Sequence, residues 1–137
     1  MAATRNRDSR SRRRGVASVE AAVCLPVLAS IVFGAIQACD VIHLRHMASL
    51  AAYEGTLAAS KSDATRQSVM NRANGLLEAL RVEGATVSLD PDVANLADLD
   101  EGQHVAVIVT APVSGNLSGP AFFATVSDVQ SRAVTSR

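Results

Sequence analysis

The sequence predicts an α+β protein held to a membrane by one N-terminal helix. Three observations carry this reading. A basic block opens the chain, a long apolar stretch follows it directly, and the hydrophobic period changes from helical to alternating after Gly84. The expected order is a transmembrane helix that continues as an exported helix, a second amphipathic helix, and a small antiparallel sheet of about three strands. The expected domains are a basic leader over 1–15, a transmembrane helix over 16–39 and a helix-plus-sheet head over 40–137.

Composition narrows the class without choosing it. A length of 137 residues fits one small domain, or a smaller one with an anchor. With 48% apolar residues the chain is too hydrophobic to be disordered, and two cysteines cannot make a disulfide scaffold. Thirteen basic and thirteen acidic residues exclude a uniformly basic nucleic-acid binder, so no nucleic-acid partner is expected. The zero balance hides a division, however. Residues 1–14 carry +5, from six arginines against Asp8, and the remainder carries −5.

Within residues 16–39, Glu20 is the only charged side chain. As a helix this stretch would be about 36 Å long, enough to cross a hydrocarbon core of roughly 30 Å. A chain this short has too little other apolar surface to bury such a helix in a soluble core. The arginine cluster predicts a cytoplasmic N-terminus and a head on the far side of the membrane.

A cleaved secretory signal fits poorly, because the apolar stretch is long and contains a carboxylate. Ile36-Gln37-Ala38-Cys39 partly matches a lipoprotein processing site. The alternative reading is therefore a lipoprotein or signal-anchored periplasmic ligand-binding module, lipidated at Cys39.

Glu20 is the informative position, since an ionised carboxylate in hydrocarbon is costly unless paired. The block reads Arg13-Arg14-Gly15-Val16-Ala17-Ser18-Val19-Glu20. A cut after Gly15 would create a cationic amine at Val16, one helical turn above Glu20. A neighbouring subunit displaced along the bundle could offer that amine to Glu20, and the pair would set the register between subunits.

This block, with Leu25-Pro26-Val27-Leu28, Ala52-Tyr53-Glu54-Gly55 and Ala58-Ala59, resembles the TadE-like proteins, pseudopilins of the tight adherence (Tad) type IV pilus machinery. The resemblance is good over about residues 12–60 and only in outline beyond. Ala21 stands where related leaders often carry an aromatic. The resemblance implies a pilin-like fold and prepilin-peptidase processing between Gly15 and Val16. It also implies a bacterial inner-membrane location, with the head periplasmic or extracellular. Other pilin or pseudopilin subunits and an assembly platform would be the partners. Pro26 and Gly34 are expected at helix–helix contacts, where small residues allow close approach.

Residues 40–60 are helix-favouring, with an apolar stripe expected at Val41, Leu44, Ala48, Ala51, Ala52 and Leu57. Asp40, His43 and His46 spread over a helix surface and are not expected to hold a metal. Lys61-Ser62-Asp63 is expected to break the helix and cap the next, over 64–81, whose core stripe is Val69, Met70, Ala73, Leu76, Leu77 and Leu80. Alternation at Ala85, Val87 and Leu89 predicts a strand ended by Asp90-Pro91. Residues 104–111 are expected to form the central strand and 126–135 a weaker third, with Phe122-Phe123 closing the core edge. The acidic loop 90–103 is expected to be solvated and not a calcium site. Asn116-Leu117-Ser118 satisfies the glycosylation sequon, a short pattern with many chance matches.

Cys24 and Cys39 would lie roughly 22 Å apart along one helix, too far to bond within a chain. No nucleophile–base pair, phosphate loop or dinucleotide fingerprint is present in the sequence. The expected role is assembly without catalysis, cofactor or metal.

Overall fold

Helix α1, Arg7–Ala59, continues through all of the predicted membrane segment and well past it. The computed structural model describes residues 7–96, 99, 102–118 and 126–136, with the backbone alone for 7–15. Helix α2 (Arg66–Ala79) and strands β1 (Thr86–Asp90), β2 (His104–Pro112) and β3 (Asp128–Ser136) follow. The chain divides into two compact units, Met1–Ile36 and Gln37–Arg137. Gln37, the first residue of the second unit, is buried.

In the first unit, α1 presents apolar side chains on all sides from Val16 onward. Val16, Val23, Leu28, Ile31 and Phe33 are each more than half exposed. Among the described residues, Val16–Ala59 is the one helix long and apolar enough to cross a membrane. Pro26 lies inside it, at the cost of the backbone hydrogen bond its missing N–H would have made. Ser30 donates its hydroxyl to the Pro26 carbonyl at 2.8 Å, so this polar group is satisfied within the helix.

In the second unit α1 uses one face. Leu44, Ala48, Ala51, Ala52 and Ala59 are buried, recurring at helical spacing, and Gly55 and Thr56 fill the gap in that stripe. Leu57 departs from expectation and is 47% exposed. It sits nine residues from Ala48, half a turn out of phase, so it points away from the core.

The core forms between this face, α2 and one face of a three-stranded antiparallel sheet in the order β1-β2-β3. Val87 pairs with Val109, Leu89 with Val107, and Ala111 with Val129, which puts all of them on the inner face. The central position of β2 explains its nearly continuous apolar character: Val105, Val107, Val109 and Ala111 face the helices, and Ala106 faces out yet is 1% exposed. Asp90 lies opposite Ala106 on one flank and Arg132 opposite Ile108 on the other. Their ion pair, at 3.4 Å, bridges the flanking strands over β2 and covers it.

The start of α2 corrects the expected cap. Thr65 is the N-cap, in a capping box: its hydroxyl accepts from the Ser68 N–H at 3.2 Å, and the Ser68 hydroxyl accepts from the Thr65 N–H at 3.1 Å. Lys61-Ser62-Asp63 instead forms the turn between the helices. The stripe on α2 is as expected, with Val69, Ala73 and Leu77 buried and Met70, Leu76 and Leu80 partly buried against the core. The helix ends in a Schellman motif. The Val82 N–H bonds the Leu77 carbonyl, the Arg81 N–H bonds the Glu78 carbonyl, and Arg81 takes a left-handed φ of 56°.

The connection from β1 to β2 begins with a cis Asp90-Pro91 bond and returns to the interhelical turn. There the Leu96 N–H bonds the Ala64 carbonyl and the Arg66 N–H bonds the Ala94 carbonyl, which buries Leu96 fully. Of the acidic residues in this loop, Asp90 pairs with Arg132 and Asp92 with Arg66 at 3.1 Å. Asp98, Asp100, Glu101 and the predicted Phe122-Phe123 core edge lie outside the described residues.

Arg81 carries a side chain where glycine has no steric penalty. Arg81→Gly is expected to stabilise the head by about 1 kcal/mol. Thr65→Ala is expected to destabilise it by about 1 kcal/mol. Hydrogen exchange at the β2 amides of the full chain in detergent micelles measures both.

Candidate functional site

The predicted site residues all lie on α1. The Gly15–Val16 bond falls inside its continuous helical backbone, and Glu20 follows Val16 by four residues, one turn or about 6 Å along the axis. Glu20 is exposed, and side chains on a helix lean in general toward its N-terminus, the end on which Val16 lies. Pro26 is interior to the helix and Gly34 is partly exposed. The structure thus places Gly15, Val16 and Glu20 in adjacent turns, with Pro26 and Gly34 further along the same helix.

Cys24 and Cys39 are both free thiols and exposed. Asp40 has a structural partner. Its carboxylate accepts from the Ser118 backbone N–H at 2.9 Å and from the Ser118 hydroxyl at 3.4 Å, which ties the segment after β2 to α1. Among the described residues no three His, Cys, Asp or Glu side chains converge as metal ligands.

Sequence reasoning assigned no packing role to three features, two that hold the α1 face in place and one that joins loops of the head. The first is Gly55. A Cβ there would stand 2.9 Å from Cγ1 of Val107, so the backbone of α1 rests directly on the central strand. The second is Glu54, whose carboxylate takes Arg72 of α2 at 2.8 Å from Nη2 and 3.0 Å from Nε. Two guanidinium nitrogens on one oxygen make a directional tie between the helices. The third is Asn116, whose amide nitrogen donates to the Glu83 and Pro112 carbonyls while its oxygen accepts from the Glu83 N–H. Both amide hydrogens are used, so a glycan at this sequon would break a bond that joins two loops. Only the Glu54-Gly55 pair left a signal in the sequence, as part of the quoted Ala-Tyr-Glu-Gly segment. Asn116 and Asp40 left none, because their partners are distant backbone groups.

The segment from Gly15 through Gly55 therefore contains the Gly15–Val16 junction, the apolar span and the helix surface on which the sheet packs. Residues 15–57 match the TadE-like protein family. Comparisons with curated proteins and with solved structures found no match. The TadE-like segment begins at the glycine before Val16 and closes two residues after the Gly55 contact. Helix α2 and the sheet lie outside it, so the family signal sits on the helix and not on the layer that the helix supports.

Two glycines on the helices separate packing from propensity. At Gly75 on α2 nothing lies within 4 Å of an added Cβ, so Gly75→Ala is expected to stabilise by roughly 0.5–1 kcal/mol through helix propensity alone. Gly55→Ala gains the same propensity but drives a methyl into Val107, whose β-branched side chain has little freedom to yield. It is expected to destabilise by about 1 kcal/mol net. Denaturant titration of the two full-length variants should give shifts of opposite sign.

Proposed function

We propose that the protein is a membrane-anchored pseudopilin, a minor pilin-like subunit for assembly of a Tad-type pilus or secretion apparatus, acting by helix packing without catalysis. One observation carries this reading. A Gly15-Val16 junction with Glu20 one turn beyond it opens a long apolar helix inside a TadE-like segment. The arginine-rich leader stays cytoplasmic, the span crosses the inner membrane once, and the head faces the periplasm or the exterior. Prepilin peptidase cuts after Gly15. Glycine is a poor helix former, so Gly15 lowers the cost of opening α1 locally at that bond. Glu20 then pairs with the Val16 amine of a neighbour displaced by about one turn, and Pro26 and Gly34 mark the surfaces where helices approach.

Glu20→Ala is expected to insert into the membrane normally and to lose co-assembly with other pilin subunits, measured by co-purification from crosslinked membranes. Undiminished co-assembly overturns the pairing mechanism. Mass spectrometry of the mature N-terminus tests the processing step separately. A start at Val16 supports it, and Gly15→Leu should then leave the chain uncut. A lipidated start at Cys39 replaces this reading with a lipoprotein binding module. An intact N-terminus removes the amine and leaves a plain signal anchor.

A further inference from the structure

The two edges of the sheet are built differently. Strand β1 has five residues and stops at Asp90, before Pro91, which cannot donate to a ladder. Strand β3 has nine residues, all paired to β2 in an unbroken register, and contains no proline, glycine or lysine. Among the described residues it pairs with β2 alone. About half of its N–H and C=O groups therefore point away from the sheet without a backbone partner. The inner face of β3 is also unfinished. Val105, Val107 and Val109 of β2 are buried, but the residues opposite them, Thr135, Ala133 and Ser131, are only half-buried.

We propose that the outer edge of β3 receives an extended strand of a partner polypeptide, added antiparallel to it. A row of unpaired edge groups is matched by another extended backbone, which selects the class of occupant. The outward side chains select its chemistry. Val126, just before β3, and then Asp128, Gln130, Arg132 and Val134 alternate along the face away from the helices. Val126 and Val134 are 48% and 55% exposed. Asp128 is exposed, and Arg132 gives Nη2 alone to Asp90, at 3.4 Å. The partner strand therefore carries a cation opposite Asp128, a carboxylate opposite Arg132 and apolar residues at both ends. A second copy's β3 has this pattern but the wrong direction. In the head, α1 runs along the sheet, from Asp40 beside Ser118 to Ser60 beside Thr135. Two heads joined by antiparallel β3 edges would receive their chains at opposite ends of one sheet, whereas membrane-anchored chains all enter from one side. That exclusion of a second copy rests on the anchored reading proposed above.

A synthetic peptide, which has no α1, probes the edge directly. Val-Ser-Asp-Val-Gln-Ser-Arg-Ala-Val is the sequence of residues 126–134. Lying antiparallel with its Gln on Gln130, it places Arg opposite Asp128 and Asp opposite Arg132. Added to the full chain in detergent micelles, it is expected to slow hydrogen exchange at β3 amides and to leave β1 unchanged. The peptide with Asp and Arg exchanged has the same composition and is expected to bind about tenfold more weakly. The chain carrying Asp128→Arg and Arg132→Asp is expected to reverse that preference, with unchanged exchange at the β2 amides showing that it folds. Equal binding of the two peptides, protection of β1 in place of β3, or no protection at all overturns the proposal. So does slow exchange at β3 in the chain alone that is lost on dilution, because a second copy would then occupy the edge. Gly15, Val16 and Glu20 are intact in both chains, so failure here and failure of the pilin reading are distinguishable.

Discussion

Helix α1 has to satisfy two surroundings along one axis, and most of the molecule follows from how its residues change to do so. Over residues 16–36 apolar side chains, chiefly Val, Leu, Ile, Ala and Phe, lie on every side of the helix, with Glu20 the only charged one. From Gln37 onward the helix continues without a break, but one face turns to alanine and glycine and receives the sheet. A single element thereby serves as anchor and as the first layer of a folded core. Backbone hydrogen bonding is the reason it can, since a helix satisfies its own polar groups in lipid and in protein alike.

The core beneath α1 is built from small parts. Its fully buried side chains are leucine, valine and alanine, with no aromatic among the described ones. Such a core stabilises through proximity: Ala48, Ala52 and Gly55 let the helix approach β2 closely enough for the valines to fill the remaining space. Polar ties then hold the periphery, Glu54 to Arg72 between helices, Asp90 to Arg132 across the sheet, and Asn116 between loops. All three are at or near the surface, where ion pairs and exposed hydrogen bonds contribute modestly to stability. Their effect is chiefly on which segments lie side by side.

Elements with a strong period were legible in the sequence. The change after Gly84, the alternating β1 and the continuous apolar run of β2 put the strands, and the central place of β2, within a residue or two of where they stand. The α2 stripe was equally plain. The misses share a cause, which is that their decisive partner lies elsewhere in the chain. Thr65 outcompetes Asp63 as the cap because Ser68 reciprocates its hydrogen bond and the pairing with Asn95 fixes its backbone. Leu57 was expected to continue the α1 stripe and is excluded by phase. Asp40 looked like a surface carboxylate and instead receives Ser118, 78 residues later. The candidate residues Gly15, Val16 and Glu20 are neighbours in sequence, so their placement within adjacent turns was legible, whereas the contact of Gly55 with Val107 was not.

That contact links two positions in a way that reaches beyond stability. The space between α1 and β2 at this point is a fixed volume shared by residue 55 and residue 107. Enlarging one position without shrinking the other overpacks this contact, at a cost of about 1 kcal/mol for a single methyl. The two residues are therefore energetically coupled, although one lies inside the TadE-like segment and the other outside it. Sequence divergence in the sheet is thus constrained by a glycine on the helix.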